Sequence, residues 1–163
     1  MVALLFYVLA ALVIAADQWS KWWIREHLLM GESTQVWQGL IHVIRLENTG
    51  AAGSSFEGYG RWFVPVAVLI VAVVLYYRSR GKLKGRWMEI GTAFFVGGAI
   101  GNAIDRVLFN GVTDFIQLKG QGGVMNIADI ALNAGMIVVL LTMLFSRRKR
   151  TSAPTIGSSS SSG

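Results

Sequence analysis

Four long apolar stretches dominate the pattern of hydrophobic and polar positions along the chain. They run over 1–16, 62–77, 87–104 and 124–145. Each approaches the ~20 residues that a helix needs to cross ~30 Å of hydrocarbon. Pro65 stands near the start of the second stretch, where the missing N–H is tolerated and the fixed φ favours helix initiation. The pattern therefore predicts four transmembrane helices.

The composition agrees with a membrane location. Of the 163 residues, 53% are hydrophobic and 15% are charged, against about 25% charged in soluble domains. The chain has no cysteine and two histidines, which excludes a disulfide scaffold, a thiolate nucleophile and a cysteine-ligated metal site. The length fits one domain, 1–150, and the Ser- and Gly-rich segment 151–163 is interpreted as a flexible tail or linker.

The positive charges are concentrated in two segments. Five cations lie within 78–86 and four within 147–150, whereas 17–61 and 106–123 carry nearly balanced charge. By the positive-inside rule, the loop 78–86 and both termini are cytoplasmic, and the loops 17–61 and 106–123 face outward. Membrane topology and anionic headgroups thus account for most of the basic character, and we expect no nucleic-acid partner.

The first outward loop, 17–61, is too long to be a simple connection and contains β-forming residues. β-branched and aromatic residues cluster in 35–37 and 40–46 on either side of Gly39, which predicts a small sheet. The segment 111–117 of the second outward loop is also β-like. We therefore expect a membrane all-α fold of four transmembrane helices with a small extracytoplasmic β element.

Four aspartates lie within or near the ends of the predicted spans: Asp17, Asp105, Asp114 and Asp129. Ionisable groups there are costly and usually face the bundle interior with a partner. Asp17 precedes Lys21 by four residues, the spacing of a helical ion pair. We interpret this pair as structural, either as a solvated helix end or as an anchor that accepts backbone N–H groups of the outer loop.

The end of the third span combines glycines with polar residues. Gly97 and Gly101 form a small-xxx-small face that lets a neighbouring helix approach closely. Asn102, Asp105 and Arg106 follow on one side of the helix, so we expect a polar cluster that points into the bundle. A charge-neutral helix end is the alternative reading of the adjacent acid and base.

The two remaining aspartates are predicted to converge at the outer end of the bundle. Asn126, Asp129 and Asn133 share one stripe of the fourth span, and Asp114 lies in the short outer loop that reaches the same end. Two carboxyls in a low-dielectric site share a proton, as in aspartic proteases. Spacing alone leaves three interpretations open: a catalytic pair, the proton or ion path of a small transporter or channel, and structural hydrogen bonding in a non-enzymatic interaction protein.

Five motifs, in order, resemble those of the bacterial lipoprotein signal peptidases, or signal peptidase II. They are Asp17-Gln-Trp-Ser-Lys21, Asn48-Thr-Gly-Ala-Ala52, Gly101-Asn102-Ala-Ile-Asp105-Arg106, Val112-Thr-Asp114-Phe115 and Asn126-Ile-Ala-Asp129. The resemblance implies an intramembrane aspartic endopeptidase that needs no metal or cofactor. Its expected action is to remove the signal peptide from diacylglyceryl-modified prolipoproteins on the N-terminal side of the lipidated cysteine.

The resemblance also assigns roles to individual residues. Asp114 and Asp129 are the implied catalytic pair. The residues implied to bind substrate or support the site are Asn48, Gly50, Ala51, Asn102, Arg106 and Asn126. The residues given a structural role are Asp17, Lys21 and Asp105. We further expect a monomer that crosses the bacterial cytoplasmic (inner) membrane several times, has its active site at the outer leaflet, and contacts membrane lipid and a lipid-modified prolipoprotein.

Three positions depart from the family pattern. Gly53 replaces a usual aromatic residue, which predicts a looser substrate-facing loop, and we expect Gly53→Phe to raise activity or change specificity. Asn110 replaces a usual glycine, but asparagine tolerates the left-handed conformation, so we expect the turn to be kept. Met125 replaces a usual phenylalanine, an apolar exchange that we expect to pack.

Overall fold

The computed structural model of the chain describes residues 2–37, 39–50, 57–120 and 122–151, with side chains from residue 4 to residue 146 within these ranges. The elements in chain order are α1 (Val2–His27), β1 (Ser33–Val36), β2 (Ile41–Asn48), α2 (Phe63–Ser79), α3 (Arg86–Phe109), β3 (Val112–Leu118), β4 (Val124–Met125) and α4 (Ile127–Thr151). A 3₁₀ turn, Gly60–Trp62, leads into α2. The expectations for Ala51, for Gly53 and for nearly all of the tail fall outside the described residues.

The four helices are long and apolar enough to cross a membrane, which confirms the predicted spans. Two of them extend into segments predicted as outward loops: α1 continues to His27 and α3 to Phe109. The outward loops therefore begin later than the predicted 17 and 106. The physical reason is that the polar residues beyond the first stretch face the bundle, where Asp17 and Lys21 are completely buried. Hydropathy along the sequence cannot distinguish such inward polar residues from a loop.

Helix α3 is the central helix of the bundle. It packs against α1, α2 and α4, and Phe6 and Ala10 of α1 meet Ala93 and Val96 of α3 in the apolar core. By contrast, no described residue of α2 is buried. Because lipid replaces water around the helices, the exposed apolar faces of α2 and α4 need no protein partner.

Glycines set the distance between the helices at the level of the polar cluster. A Cβ atom on Gly97 would lie 2.8 Å from the Cβ of Val13, and one on Gly101 would lie 2.6 Å from Oδ2 of Asp17. The predicted small-residue face is therefore the contact with α1. Gly98 brings α4 equally close, since its Cβ would lie 2.4 Å from the carbonyl oxygen of Ala128.

The segment between α1 and α2 and the segment between α3 and α4 together form a four-stranded antiparallel sheet in the order β1-β2-β3-β4. The hairpin β1–β2 and the strand β3 confirm the predicted β element. The fourth span was predicted to start at 124, but Val124 and Met125 pair with β3, and the helix starts at Ile127. Asn110 ends α3 in the left-handed conformation, with φ of 62°, as expected for a residue that replaces glycine there.

Candidate active site

Asp114 lies on β3 and is almost completely buried, with 5% of its surface exposed. Its Oδ2 accepts a hydrogen bond from Nδ2 of Asn48 at 3.0 Å, and its Oδ1 accepts one from Nδ2 of Asn126 at 2.7 Å. Burial raises the pKa of Asp114 to about 6, the charge of Asp129 adds to that rise, and the two amide hydrogen bonds oppose it. The strand thus presents a carboxyl that protonates far more readily than an exposed aspartate.

Asp129 lies in the first turn of α4 and is oriented by two donors. Its Oδ1 accepts a hydrogen bond from Nδ2 of Asn102 at 2.8 Å, and its Oδ2 accepts one from the backbone N–H of Asn126 at 3.3 Å. Oδ1 of Asn126 in turn accepts the backbone N–H of Asp129 at 2.9 Å. This reciprocal pattern is a capping box, so the same bonds that start α4 fix the carboxyl.

Asn126 is the residue that links the two acids. Its side-chain NH₂ donates to Asp114, its side-chain Oδ1 accepts the backbone N–H of Asp129, and its backbone N–H donates to the carboxyl of Asp129. It occupies the single position between the end of β4 and the start of α4, so the strand-to-helix junction determines the relative placement of the carboxyls. The sequence placed Asn126 and Asp129 on one helical stripe, whereas the structure uses Asn126 as the cap of that helix.

Both carboxyls line one cavity of about 330 Å³ at the end of the bundle that carries the sheet. Its other lining residues are Asn48, Asn102, Arg106, Val112, Gly123, Val124, Met125, Leu132 and Asn133. The convergence of the acids expected from the sequence is therefore present in the fold. Within the described ranges, no three His, Asp or Glu side chains are grouped as a metal ion would require.

Arg106 closes one side of this cavity. Its guanidinium donates to the carbonyl oxygens of Asn102 at 3.4 Å and of Gly50 at 3.3 Å, and it lies 5.3 Å from the ring centre of Phe63. Its Nε is buried and has no hydrogen-bond partner among the described residues. The neighbouring Asp105 turns away from the cavity and pairs with Lys21, so adjacency in sequence does not make the acid and base one neutral pair.

Lys21 lies behind the cavity at the meeting point of α1 and α3, fully buried. Its Nζ is 2.8 Å from Oδ2 of Asp17, 3.2 Å from Oδ2 of Asp105 and 2.9 Å from Oδ1 of Asn102. Three acceptors therefore satisfy all three N–H donors of the ammonium group. Because Oδ1 of Asn102 is held by Lys21, its NH₂ group must face Asp129.

The predicted ion pair between Asp17 and Lys21 is present, but neither expected setting of Asp17 is correct. Asp17 is completely buried, so it is not a solvated helix end. Among the described residues, the backbone N–H that its carboxylate accepts is not in the outer loop but is that of Ala128, 2.9 Å from Oδ1. That N–H belongs to the first turn of α4, where backbone donors have no partner within the helix. A buried carboxylate on α1 thus caps α4, which no feature of the sequence around Asp17 indicates.

Gln18 and Thr113 were not singled out from the sequence, although both lie inside the quoted motifs. Nε2 of Gln18 is 3.1 Å from Oδ1 of Asp105 and 3.1 Å from the carbonyl oxygen of Gly101. Thr113 donates its backbone N–H to Oδ2 of Asp105 at 3.2 Å. Successive side chains of a strand point to opposite faces, so Thr113 and Asp114 lie on opposite faces of β3. This alternation was the one feature of the sequence that could have drawn attention to Thr113.

The hydroxyl of Thr113 continues the support of β3 on the side away from the cavity. It accepts a hydrogen bond from Arg25 at 2.9 Å and donates to the carboxylate of Glu47, its partner across the strands, at 3.2 Å. Arg25 also lies 4.4 Å from the ring centre of Phe109. The end of α1 is thereby attached to the strand that carries Asp114.

A family model described as Signal peptidase (SPase) II matches residues 9–145. The chain belongs to the signal peptidase II family. This membership confirms the resemblance drawn from the five motifs, and it favours neither the transporter or channel nor the non-enzymatic interpretation. Signal peptidase II is an aspartic protease family, so two carboxyls on one cavity are the arrangement that its chemistry requires.

The sequences of two relatives match most of the length of this signal peptidase II chain. The lipoprotein signal peptidase of Gloeobacter violaceus is 38% identical over 150 residues, 91% of this chain and 86% of the relative. That of Geobacillus thermodenitrificans is 38% identical over 146 residues, 88% of this chain and 91% of the relative.

Two solved structures have the same fold. Both are structures of a bacterial membrane enzyme obtained by the in meso method. The one at 2.3 Å resolution has a TM-score of 0.85 and 26% identity and covers 92% of this chain and 93% of its own. The one at 1.9 Å has a TM-score of 0.78 and 27% identity and covers 85% and 92%. The fold predicted from the sequence is therefore that of a known membrane enzyme.

Proposed function

We propose that Asp114 and Asp129 are the catalytic pair with which this signal peptidase removes the signal peptide from lipid-modified prolipoproteins. One observation carries the assignment: Asn126 holds both carboxyls on a single cavity of about 330 Å³. The names of the relatives as lipoprotein signal peptidases support the substrate class. In this proposal the peptide bond that is cleaved lies on the N-terminal side of the lipidated cysteine.

In the proposed mechanism the two carboxyls start in different protonation states. Burial, which raises the pKa of Asp114 to about 6, favours Asp114 as the protonated partner. Ionised Asp129 takes a proton from the water that attacks the scissile carbonyl carbon, while Asp114 gives its proton to the carbonyl oxygen. When the intermediate collapses, Asp129 passes its proton to the leaving amine nitrogen and Asp114 recovers one from the new carboxyl group.

The amide side chains around the pair have positioning roles in this proposal. Asn48 and Asn126 hold Asp114, and Asn102 holds Asp129, so each carboxyl keeps its orientation before substrate arrives. The buried Nε–H of Arg106 is a donor without a described partner, and we assign it to a backbone carbonyl of the substrate. Its bond to the carbonyl oxygen of Gly50 keeps the loop after β2 beside the cavity.

An apolar cavity of about 560 Å³ between α2 and α3 is assigned to the lipid chains of the substrate. Its lining residues are all hydrophobic and extend from Val64 to Leu75 on α2, about 17 Å at ~1.5 Å per residue. Phe63, which contacts Arg106, immediately precedes Val64. The polar cavity and the apolar one therefore adjoin, as a substrate that carries an acyl group beside its scissile bond requires.

The orientation in the membrane is part of the same proposal. The cations of 78–86 lie at the end of the bundle opposite the sheet, which favours cytoplasmic termini and an active site at the outer leaflet of the bacterial cytoplasmic membrane. The single packed bundle around α3 supports one functional unit over 1–150. We propose that this unit acts as a monomer in contact with membrane lipid.

The test is a cleavage assay in detergent with a diacylglyceryl-modified prolipoprotein. The wild-type protein should produce a shortened band, and Asp114→Asn and Asp129→Asn should not, although both variants remain folded. Glu26→Gln, which removes an exposed acid from α1, is the matched control and should cleave normally. Full turnover by either aspartate variant would refute the catalytic pair.

A further inference from the structure

Asn133 is a polar residue in an otherwise apolar part of α4. All residues from 130 to 141 except Asn133 are apolar. Its neighbours Ile130, Met136 and Ile137 are each more than two-fifths exposed on the lipid-facing surface. Asn133 is itself exposed, and within the part of the chain that the structure describes its amide makes no hydrogen bond. An amide without a partner in hydrocarbon is costly, so its presence needs a reason.

The position of Asn133 relative to Asp129 supplies that reason. Both side chains line the same cavity, because residues four apart lie on the same side of a helix. At ~1.5 Å per residue, Asn133 lies about 6 Å further along α4, away from the outer end of the bundle and towards the middle of the membrane. Whatever occupies the cavity below Asp129 therefore meets the amide of Asn133.

A substrate that is cut inside a membrane exposes backbone groups at this depth. A helical peptide hides its carbonyls in its own hydrogen bonds, so the segment around the scissile bond must unwind before water can attack it. Unwinding leaves backbone N–H and C=O groups without partners in lipid, where each is costly. An asparagine amide offers both donors and an acceptor and can replace those lost bonds.

We propose that Asn133 binds the unwound backbone of the signal peptide on the N-terminal side of the scissile bond, one helical turn deeper in the membrane than Asp129. The assignment rests on the proposed function, since it takes Asp129 as the marker of the scissile bond. The signal peptide is the part of the substrate that remains in the membrane below that point, so it is the part that reaches Asn133. Asn133 is thus a substrate-binding residue for an extended peptide segment.

The test is steady-state cleavage of a diacylglyceryl-modified prolipoprotein by the full chain in detergent. Asn133→Leu and Asn133→Ala should each lower kcat/KM about tenfold, mainly through KM, and Asn133→Gln, which keeps the amide, should stay within about threefold of wild type. Thr142→Val is the matched control on the same helix, because the Thr142 hydroxyl already bonds the carbonyl oxygen of Val138 at 2.7 Å. It should cleave like the wild-type protein.

Thermal unfolding separates binding from folding in these variants. Asn133→Leu should have the same Tm as wild type or a higher one, because leucine suits a lipid-facing position. A wild-type kcat/KM in Asn133→Leu and Asn133→Ala would overturn the inference, and so would an equal loss in Thr142→Val. Asp129→Asn is assayed in parallel. Full activity in Asp129→Asn would refute the proposed catalytic pair itself. An inactive Asp129→Asn together with a fully active Asn133→Leu would refute only the role of Asn133.

Discussion

Replacing Asp114 with asparagine changes two contributions to stability that have opposite signs. The amide cannot ionise, so the variant loses the unfavourable free energy of a buried charge. It also replaces one carboxyl oxygen with an NH₂ group, which then faces the NH₂ of either Asn48 or Asn126. A buried hydrogen bond lost in this way costs about 1–3 kcal/mol. The first contribution depends on pH and the second does not, which makes them separable.

The direction of the pH dependence follows from the raised pKa of Asp114. Below about pH 4 the carboxyl is protonated in the folded and the unfolded protein alike. Between 3.8 and about 6 the folded state keeps a proton that the unfolded state has lost, so the stability of the wild-type protein falls as pH rises through this window. Above it the loss is complete and amounts to at most about 3 kcal/mol, at about 1.4 kcal/mol per pH unit.

Asp114→Asn should therefore be less stable than wild type at pH 4 by about 1–3 kcal/mol, and this difference should close or reverse by pH 8. For a chain of this length the change is about 2–4 °C in Tm per kcal/mol. Thermal unfolding in detergent, followed by the fluorescence of the six tryptophans, measures it at each pH.

Two results would contradict this account. A constant difference in Tm between Asp114→Asn and wild type from pH 4 to pH 8 would mean that Asp114 titrates alike in both states, and the burial argument would fail. An equal pH-dependent change in Glu26→Gln, which alters an exposed acid that does not line the cavity, would mean that the effect belongs to the protein's overall charge. Cleavage by Asp114→Asn is expected to be absent at every pH.

Three further predictions address the surroundings of the proposed catalytic pair. Lys21→Met leaves the buried carboxylate of Asp17 without a cation and leaves Asp105 with Arg25 alone, at 3.8 Å. It should cost about 3–5 kcal/mol, with a large fall in Tm and loss of cleavage, whereas Lys119→Met, at an exposed lysine, should change neither. Gly98→Ala should lower Tm by the equivalent of about 1–3 kcal/mol, because the new Cβ would lie 2.4 Å from the carbonyl oxygen of Ala128; Gly122→Ala, where the space is open, is its control. Cleavage should survive EDTA, because amide donors already bind the oxygens of Asp114 and Asp129. Activity lost to EDTA and restored by zinc would show this to be wrong.

The helices and the sheet were predictable from local patterns of the sequence. Apolar stretches identified the four spans, clusters of β-branched and aromatic residues identified the hairpin, and the β-like segment 111–117 identified β3. The errors lie at element ends, from the end of α1, which the prediction placed at 16 and which lies at His27, to the start of α4. Val124 and Met125 read as the start of an apolar span, yet they form β4 because β3 offers an unpaired edge beside them. Pairing with a distant strand is invisible to a local pattern.

The site was predictable in its residues but not in its connections. The motifs identified the polar side chains, and i, i+4 spacing identified the ion pair of Asp17 with Lys21. Neither shows that Asp17 reaches Ala128, which lies 111 positions later in the sequence. That contact depends on the close approach of α1, α3 and α4, which in turn depends on glycines at Gly98 and Gly101.

The network around Lys21 explains why so many charged groups are retained behind the cavity. A buried ion pair is weak evidence for stability by itself, because desolvation offsets most of the attraction. Here the ammonium also binds Oδ1 of Asn102 and so fixes the orientation of that amide. In this orientation the NH₂ group of Asn102, and not its oxygen, faces the carboxyl of Asp129. If Lys21 were absent, the amide of Asn102 would be free to present its oxygen to the carboxylate and repel it. The buried charges are therefore better explained by the orientation of one amide beside Asp129 than by any net gain in stability.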